Sequence, residues 1–226
     1  MVTGANRGIG REVVRQMAAT GDTVLLGARD LAKGEAAART IDSTATRVLA
    51  QQLDVADDAS VARLGHWAAD RLDRVDVLVN NAAIAYDTRA HGSDADLVAV
   101  HEAFETNLFG AWRVTQALLP LLRNSRHGRI VNVSSEGGSL THMGAGTPAY
   151  ATSKAALNAL TRVLAGELRG AGILVNAVCP GWTATDMGGG GGRPLAQGAA
   201  SVVWAADLSD DGPTGGFFRD GHPLPW

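Results

Sequence analysis

The run Thr3-Gly4-Ala5-Asn6-Arg7-Gly8-Ile9-Gly10 decides how this chain is read. A helical pattern follows it, with Val13, Val14 and Met17 on one side and Arg11, Glu12 and Arg15 on the other. Glycine lacks a Cβ, so these positions permit a tight turn and a close approach of backbone to phosphate. The helix that opens there offers free N–H groups and a partial positive charge, which suit a pyrophosphate. The spacing is G-x-x-x-G-x-G rather than the commoner G-x-G-x-x-G. It lacks the lysine-serine ending of an NTPase phosphate loop, which argues against ATP or GTP hydrolysis. A strand should precede the turn, yet only Met1 and Val2 stand before Thr3. The expectation is a central first strand that is cut short.

Beyond the turn, apolar runs alternate with helical periodicity. Strands are expected at Thr23–Gly27, Arg47–Gln51, Val75–Val79, Arg129–Val133, Ile173–Val178 and Gly215–Phe218. Helices are expected at Leu31–Asp42, Ser60–Leu72, Asp94–Leu119, Ala149–Arg169 and Leu195–Ala206. This alternation predicts one α/β domain over 1–226, a doubly wound, Rossmann-type parallel sheet with helices on both faces, in three α/β/α layers. Ligands of such sheets bind beyond the carboxyl ends of the strands. Gly4, Asp54, Asn81 and Ser135 all follow predicted strands and so share one edge. The five glycines Gly188–Gly192 have no fixed structure of their own. They fall in a segment of about 183–199 where a substrate loop is expected, a plain surface loop being the alternative.

Of the 226 residues, 46% are hydrophobic and 19% charged, which fits a globular chain and excludes general disorder. A net charge of −3 gives no electrostatic case for nucleic acid. No apolar run approaches the roughly 20 residues of a membrane span. The single cysteine, Cys179, reads as a buried thiol and fits a reducing cytoplasm. The six histidines show no metal-ligand spacing, so no metal is expected.

Tyr150 and Lys154 stand four apart in Tyr150-Ala151-Thr152-Ser153-Lys154 and share a helix face. A phenol titrates near 10, and a neighbouring cation lowers that value. The pair is a plausible acid/base device, although Y-x-x-x-K also arises by chance.

With these residues together, the chain resembles the short-chain dehydrogenase/reductase family. The glycine turn, Asp54, Asn80-Asn81-Ala82-Ala83, Asn107, Ser135, Tyr150 with Lys154, and Pro180-Gly181 follow in the family's order. Ala83 replaces the family's usual glycine. The segments Ala28-Arg29-Asp30, Cys179-Pro180-Gly181-Trp182, Thr185-Asp186-Met187 and Gly212–Phe218 bring it nearest the carbonyl-reductase group. Only fourteen residues separate Ser135 from Tyr150, so the long insertion of that group's mammalian members is absent.

The resemblance implies reversible reduction of a ketone or aldehyde to an alcohol with a nicotinamide cofactor. Tyr150 would protonate the carbonyl oxygen, Lys154 would lower the Tyr150 pKa and bind the nicotinamide ribose, and Ser135 would orient the substrate oxygen. Asn107 would support a water that reprotonates Lys154. Around the cofactor the resemblance places Gly4, Asn6, Arg7, Gly8, Ile9, Gly10, Arg29, Asp54, Val55, Asn81 and Ala82. Tyr150, Lys154, Pro180, Gly181, Thr183 and Thr185 complete that set. Ser135, Glu136, Tyr150, Trp182 and Met187 would meet the substrate, an apolar or aromatic carbonyl compound, or a cationic one if Glu136 faces it. Several alternatives stay open. Asn107 could be a surface residue, Ser134 could stand for Ser135, Asp54 could cap the next helix, and Asn81 could be a turn asparagine.

NADP is favoured over NAD. Where NAD-preferring relatives carry an acid, this chain has Ala28 followed by Arg29, and Arg7 adds a second guanidinium for a 2′-phosphate. Pairing through Asp94–Leu119 and Ala149–Arg169 would give a homodimer or homotetramer. Rival functions are a non-catalytic NADP-binding sensor or scaffold, a sugar-nucleotide epimerase or dehydratase, and a truncated product that folds poorly.

Overall fold

In the computed structural model, which describes residues 1–44, 46–85, 87 and 89–226, the chain forms a three-layer α/β/α sandwich. Its elements, in chain order, begin α1 (Gly8–Thr20), β1 (Val24–Ala28), α2 (Leu31–Ile41), β2 (Val48–Gln52), α3 (Asp58–Arg71) and β3 (Val77–Asn80). They continue with α4 (Leu97–Phe104), α5 (Ala111–Arg123), β4 (Arg129–Val133), α6 (Pro148–Leu168), β5 (Leu174–Val178), α7 (Leu195–Ala206), β6 (Phe217–Arg219) and β7 (His222–Pro223). β2 pairs with β1, and β3 through β6 pair in order, all in parallel; only β7 is antiparallel.

Val2 joins the two halves of the sheet. It bridges Leu26 on one side and Val79 on the other, both in parallel. Val2 N donates to Leu25 O at 2.9 Å, Gly27 N donates to Val2 O at 2.9 Å, and Thr3 N donates to Val79 O at 3.0 Å. The central position of the sheet is thus held by a single fully buried valine and its neighbours' backbone.

Successive strand residues feed opposite faces, as the pleat requires. Leu25, Leu78 and Ile130 enter a core shared with Leu64, Leu118, Leu157 and Leu164. Leu26, Val79 and Val131 enter the other, with Val13, Val14, Ala199 and Val202. Burial on both faces explains why these strands read as unbroken apolar runs.

The expected helix Asp94–Leu119 is corrected by the structure. It is interrupted by a π-helical turn at Glu105–Gly110, and α5 runs on to Arg123. The wide turn coincides with Asn107, whose side chain bonds the Ile84 backbone rather than facing water. Gly110 lies where a Cβ would stand 2.7 Å from Val55 Cγ2, so the helix needs glycine to pass that close. Asp54 is not the cap of α3: Asp57 caps it, accepting from Ala59 N at 2.9 Å, while Asp54 closes its own turn on Ala56 N.

Candidate active site

The glycine turn sits at the carboxyl edge of the sheet. Gly4 and Gly8 have φ of 61° and 55°, a conformation other residues rarely adopt. At Gly10 a Cβ would lie 2.4 Å from Asn81 Nδ2 and 2.9 Å from Gly4 O. Helix α1 begins at Gly8 with no side-chain cap, so among the described residues the cap side chain leaves its first N–H groups free. In front of Gly8 the nearest atom to a built Cβ is Thr185 Cγ2, at 3.8 Å. Open space, unpaired donors and the helix dipole together fit the pyrophosphate of a dinucleotide.

Asn81 braces this turn. Its Nδ2 donates to Thr3 O at 2.8 Å and to Gly4 O at 3.2 Å. The Thr3 hydroxyl accepts from the backbone N–H of both Asn81 and Ala82 at 3.0 Å. The Asn81 amide nitrogen therefore serves the loop, as the turn-asparagine alternative has it. Arg7 pairs with Asp186 at 2.9 Å across the cleft mouth, while Arg29 is exposed at the end of β1. Asp30 points elsewhere: it caps α2 by accepting from Lys33 N at 3.2 Å.

Tyr150, Lys154 and Ser135 meet at the same edge. Ser135 lies near enough to the Tyr150 phenol to lower its pKa, and its hydroxyl accepts from Gly137 N at 3.1 Å. Ser134 is buried and donates to Asn158 Oδ1 at 2.6 Å, so the two serines are told apart by what they face. Lys154 is 2% exposed, with Nζ donating to Val133 O at 2.7 Å and lying 5.7 Å from the centre of the Tyr150 ring. Gly138 allows this packing, because a Cβ there would come within 2.7 Å of the Lys154 backbone.

Electrostatics here run against the simple expectation that the lysine lowers the tyrosine. Burial pushes the Tyr150 phenol up to about 12, only partly offset by Ser135. Burial also pulls the Lys154 ammonium down to about 8. Burial shifts both groups towards their neutral forms, since a buried charge loses its hydration.

Asn107 is buried. Its Oδ1 accepts from Ile84 N at 2.8 Å, and its Nδ2 donates to Ile84 O at 3.0 Å and to Ser153 Oγ at 2.9 Å. Ser153 Oγ in turn donates to Tyr150 O at 2.8 Å. Sequence reasoning assigned no role to Ser153, Asn158, Thr3 and Asp87, which hydrogen-bond to the site's residues or backbone; their partners are distant in sequence, so no local signal marked them.

Glu136 does not face a substrate as an unpaired acid. Its carboxylate pairs with Arg219 on β6, with His142 Nδ1 4.0 Å from the other oxygen. Trp182 donates from Nε1 to Gly188 O at 2.7 Å. Three of the five glycines pack closely: a Cβ at Gly188 would lie 2.4 Å from Thr183 O, one at Gly191 3.1 Å from the indole, and one at Gly192 2.6 Å from Trp182 O. Thr183 bridges Arg193 and Thr185 bridges Gly189, closing the loop on itself. Thr183 Oγ1 also donates to Pro180 O at 3.2 Å, and Gly181 takes a φ of 72° at the bend. Trp182, Leu140 and Met187 remain largely exposed around the opening.

A doubly wound sheet with an open glycine turn and a tyrosine, lysine and serine cluster at one edge is the framework of a dinucleotide-dependent oxidoreductase. The chain belongs to the short chain dehydrogenase family, whose model matches residues 1–192. Salutaridine reductase of Papaver bracteatum is 33% identical over 96% of this chain and 93% of its own length. Carbonyl reductase (NADPH) 1 of Bos taurus is 34% identical over 100% of this chain and 97% of its own. The crystal structure of NADPH-bound carbonyl reductase from chicken fatty liver matches with a TM-score of 0.90 at 28% identity, covering 100% of this chain and 97% of that one. These likenesses agree with the carbonyl-reductase group that the motifs pointed to.

Proposed function

We propose that the protein reduces a ketone or aldehyde to an alcohol with NADPH, reversibly. The observation that carries this is the grouping of Tyr150 with a buried Lys154, whose Nζ lies 5.7 Å from the centre of the phenol ring, and with Ser135 beside them, at the sheet edge where the glycine turn opens. When bound, the nicotinamide supplies the hydride. Tyr150 donates its proton to the carbonyl oxygen, and Ser135 holds that oxygen in line. A phenol raised to about 12 stays protonated throughout the neutral range, so its proton is in place for the carbonyl oxygen. Lys154, at about 8, can exchange a proton near neutrality and resupply Tyr150. On cofactor binding its Nζ would leave Val133 O for the ribose. Asn107, fastened to Ile84 and Ser153, keeps the helix open beside that path.

NADP is the better fit because β1 ends in Ala28 with exposed Arg29 next to it, and Asp30 is occupied as a helix cap. Arg7 would exchange Asp186 for a 2′-phosphate. Residues 1–226 form one domain, with 183–199 as its substrate loop. Apolar side chains at the mouth favour an apolar or aromatic carbonyl compound, and the Arg219 partner of Glu136 removes the case for a cationic one. Leu97, Val98, Phe109 and Trp112 on α4–α5, and Val163 on α6, leave apolar surface for pairing two copies. Cys179 is buried and free, as in a reducing cytoplasm. Among the described residues, no helix is long and apolar enough to cross a membrane.

NADPH consumption over a panel of ketones and aldehydes tests the activity. Tyr150→Phe is expected to abolish turnover while NADPH titration by fluorescence stays unchanged; turnover retained in that variant would refute the assignment.

A further inference from the structure

Helix α6 carries Tyr150 in its first turn, yet its own sequence supplies no cap. Thr147 stands at the cap position with a left-handed backbone, φ 45°, and its side chain makes no capping bond. Pro148 follows at the first helical position and has no N–H. The next two donors are taken by one carboxylate from across the fold. Asp87 Oδ2 accepts from Ala149 N at 2.7 Å and from Tyr150 N at 3.3 Å. Asp87 is 8% exposed, and its Oδ1 has no partner among the described residues. Three residues earlier, Ile84 is tied through Asn107 to Ser153, and so to the same turn of α6. The loop after β3 is therefore fastened to this helix at two points, and one of them is the backbone of Tyr150.

We propose that Asp87 is a positioning residue for proton transfer, one that sets the first turn of α6 and with it the place of the Tyr150 hydroxyl against Ser135. This rests on reading Tyr150 as the proton donor. A serine or aspartate at position 147 could satisfy the same donors locally. A local cap would leave the helix free to shift against the loop after β3. Asp87 removes that freedom.

The test compares wild type with Asp87→Ala and Asp87→Asn, measuring kcat and KM on the best carbonyl of the panel and NADPH Kd by fluorescence. Asparagine keeps an acceptor oxygen in place, whereas alanine removes it. Asp87→Ala is expected to lose on the order of 10–100-fold in kcat, since a misplacement of about 1 Å is that costly. Its NADPH Kd should stay within about threefold, and Asp87→Asn should recover kcat to within about threefold of wild type. Wild-type kcat in Asp87→Ala overturns the proposal, as does a fall in NADPH affinity that matches the fall in kcat. Should the alanine variant not fold, Asp87→Glu, which moves the acceptor by one methylene, is expected to lower kcat with unchanged NADPH Kd; wild-type kcat there overturns it equally. If wild type turns over no carbonyl, the reading of Tyr150 fails; if wild type turns over and Asp87→Ala matches it, only this proposal fails.

Discussion

Replacing Lys154 by methionine isolates the cost of burying an amine in the cleft. The residue is 2% exposed, and burial pulls its pKa from 10.5 to about 8. At about 1.4 kcal/mol per pKa unit, holding it charged in the ligand-free fold costs about 3 kcal/mol. Its folded value lies below its unfolded one, so between about 8 and 10.5 the unfolded chain binds more protons. Stability therefore rises with pH through that window, and the full penalty stands below its lower end. Methionine has nearly the same length, fills the same space and does not titrate. The lost hydrogen bond to Val133 O adds an offset that does not change with pH. The stability of Lys154→Met relative to wild type should accordingly fall by about 3 kcal/mol from neutral pH to the alkaline end of the window. Urea unfolding of both ligand-free proteins at several pH values, with equal m-values, reads this directly. A difference that stays flat within about 1 kcal/mol would show that the amine is not desolvated as the structure has it.

Three other outcomes follow from the geometry. Gly10→Ala forces a Cβ to 2.4 Å from Asn81 Nδ2; it should cost about 1–3 kcal/mol of stability and weaken NADPH binding, read by thermal melts and fluorescence titration. Arg29→Asp should swing the ratio of kcat/KM for NADPH over NADH towards NADH, and an unchanged ratio counts against this site. Light scattering should give the mass of a dimer or tetramer, with Trp112→Glu shifting it towards monomer; a monomeric wild type removes the pairing through α4–α5 and α6.

Much of the fold was legible because its signals are local. β4 spans the expected Arg129–Val133 and α7 the expected Leu195–Ala206 without adjustment, since apolar run length and helical period are properties of neighbouring residues. The cluster of Tyr150, Lys154 and Ser135 was legible for the same reason: helix spacing puts the first two on one face, and a strand end puts the third at the cleft edge. Two further points resisted reading. The antiparallel β7 is two residues long, too short to show a pattern. The π-helical break at Asn107 depends on Ile84, which lies on another element.

From the order of residues alone came the layer architecture, the glycine turn, the placing of Tyr150 and Lys154 on one helix face, and the family. Tertiary structure decided which serine faces the phenol, that Glu136 is neutralised by Arg219, that Trp182 clasps the glycine run, and that a carboxylate from the loop after β3 starts α6. It also set the burial that pushes the Tyr150 phenol up. Local periodicity reports which face of an element is buried. The dielectric around a phenol and the partner of a polar group are set by segments distant in sequence, and they exist only once the chain has folded.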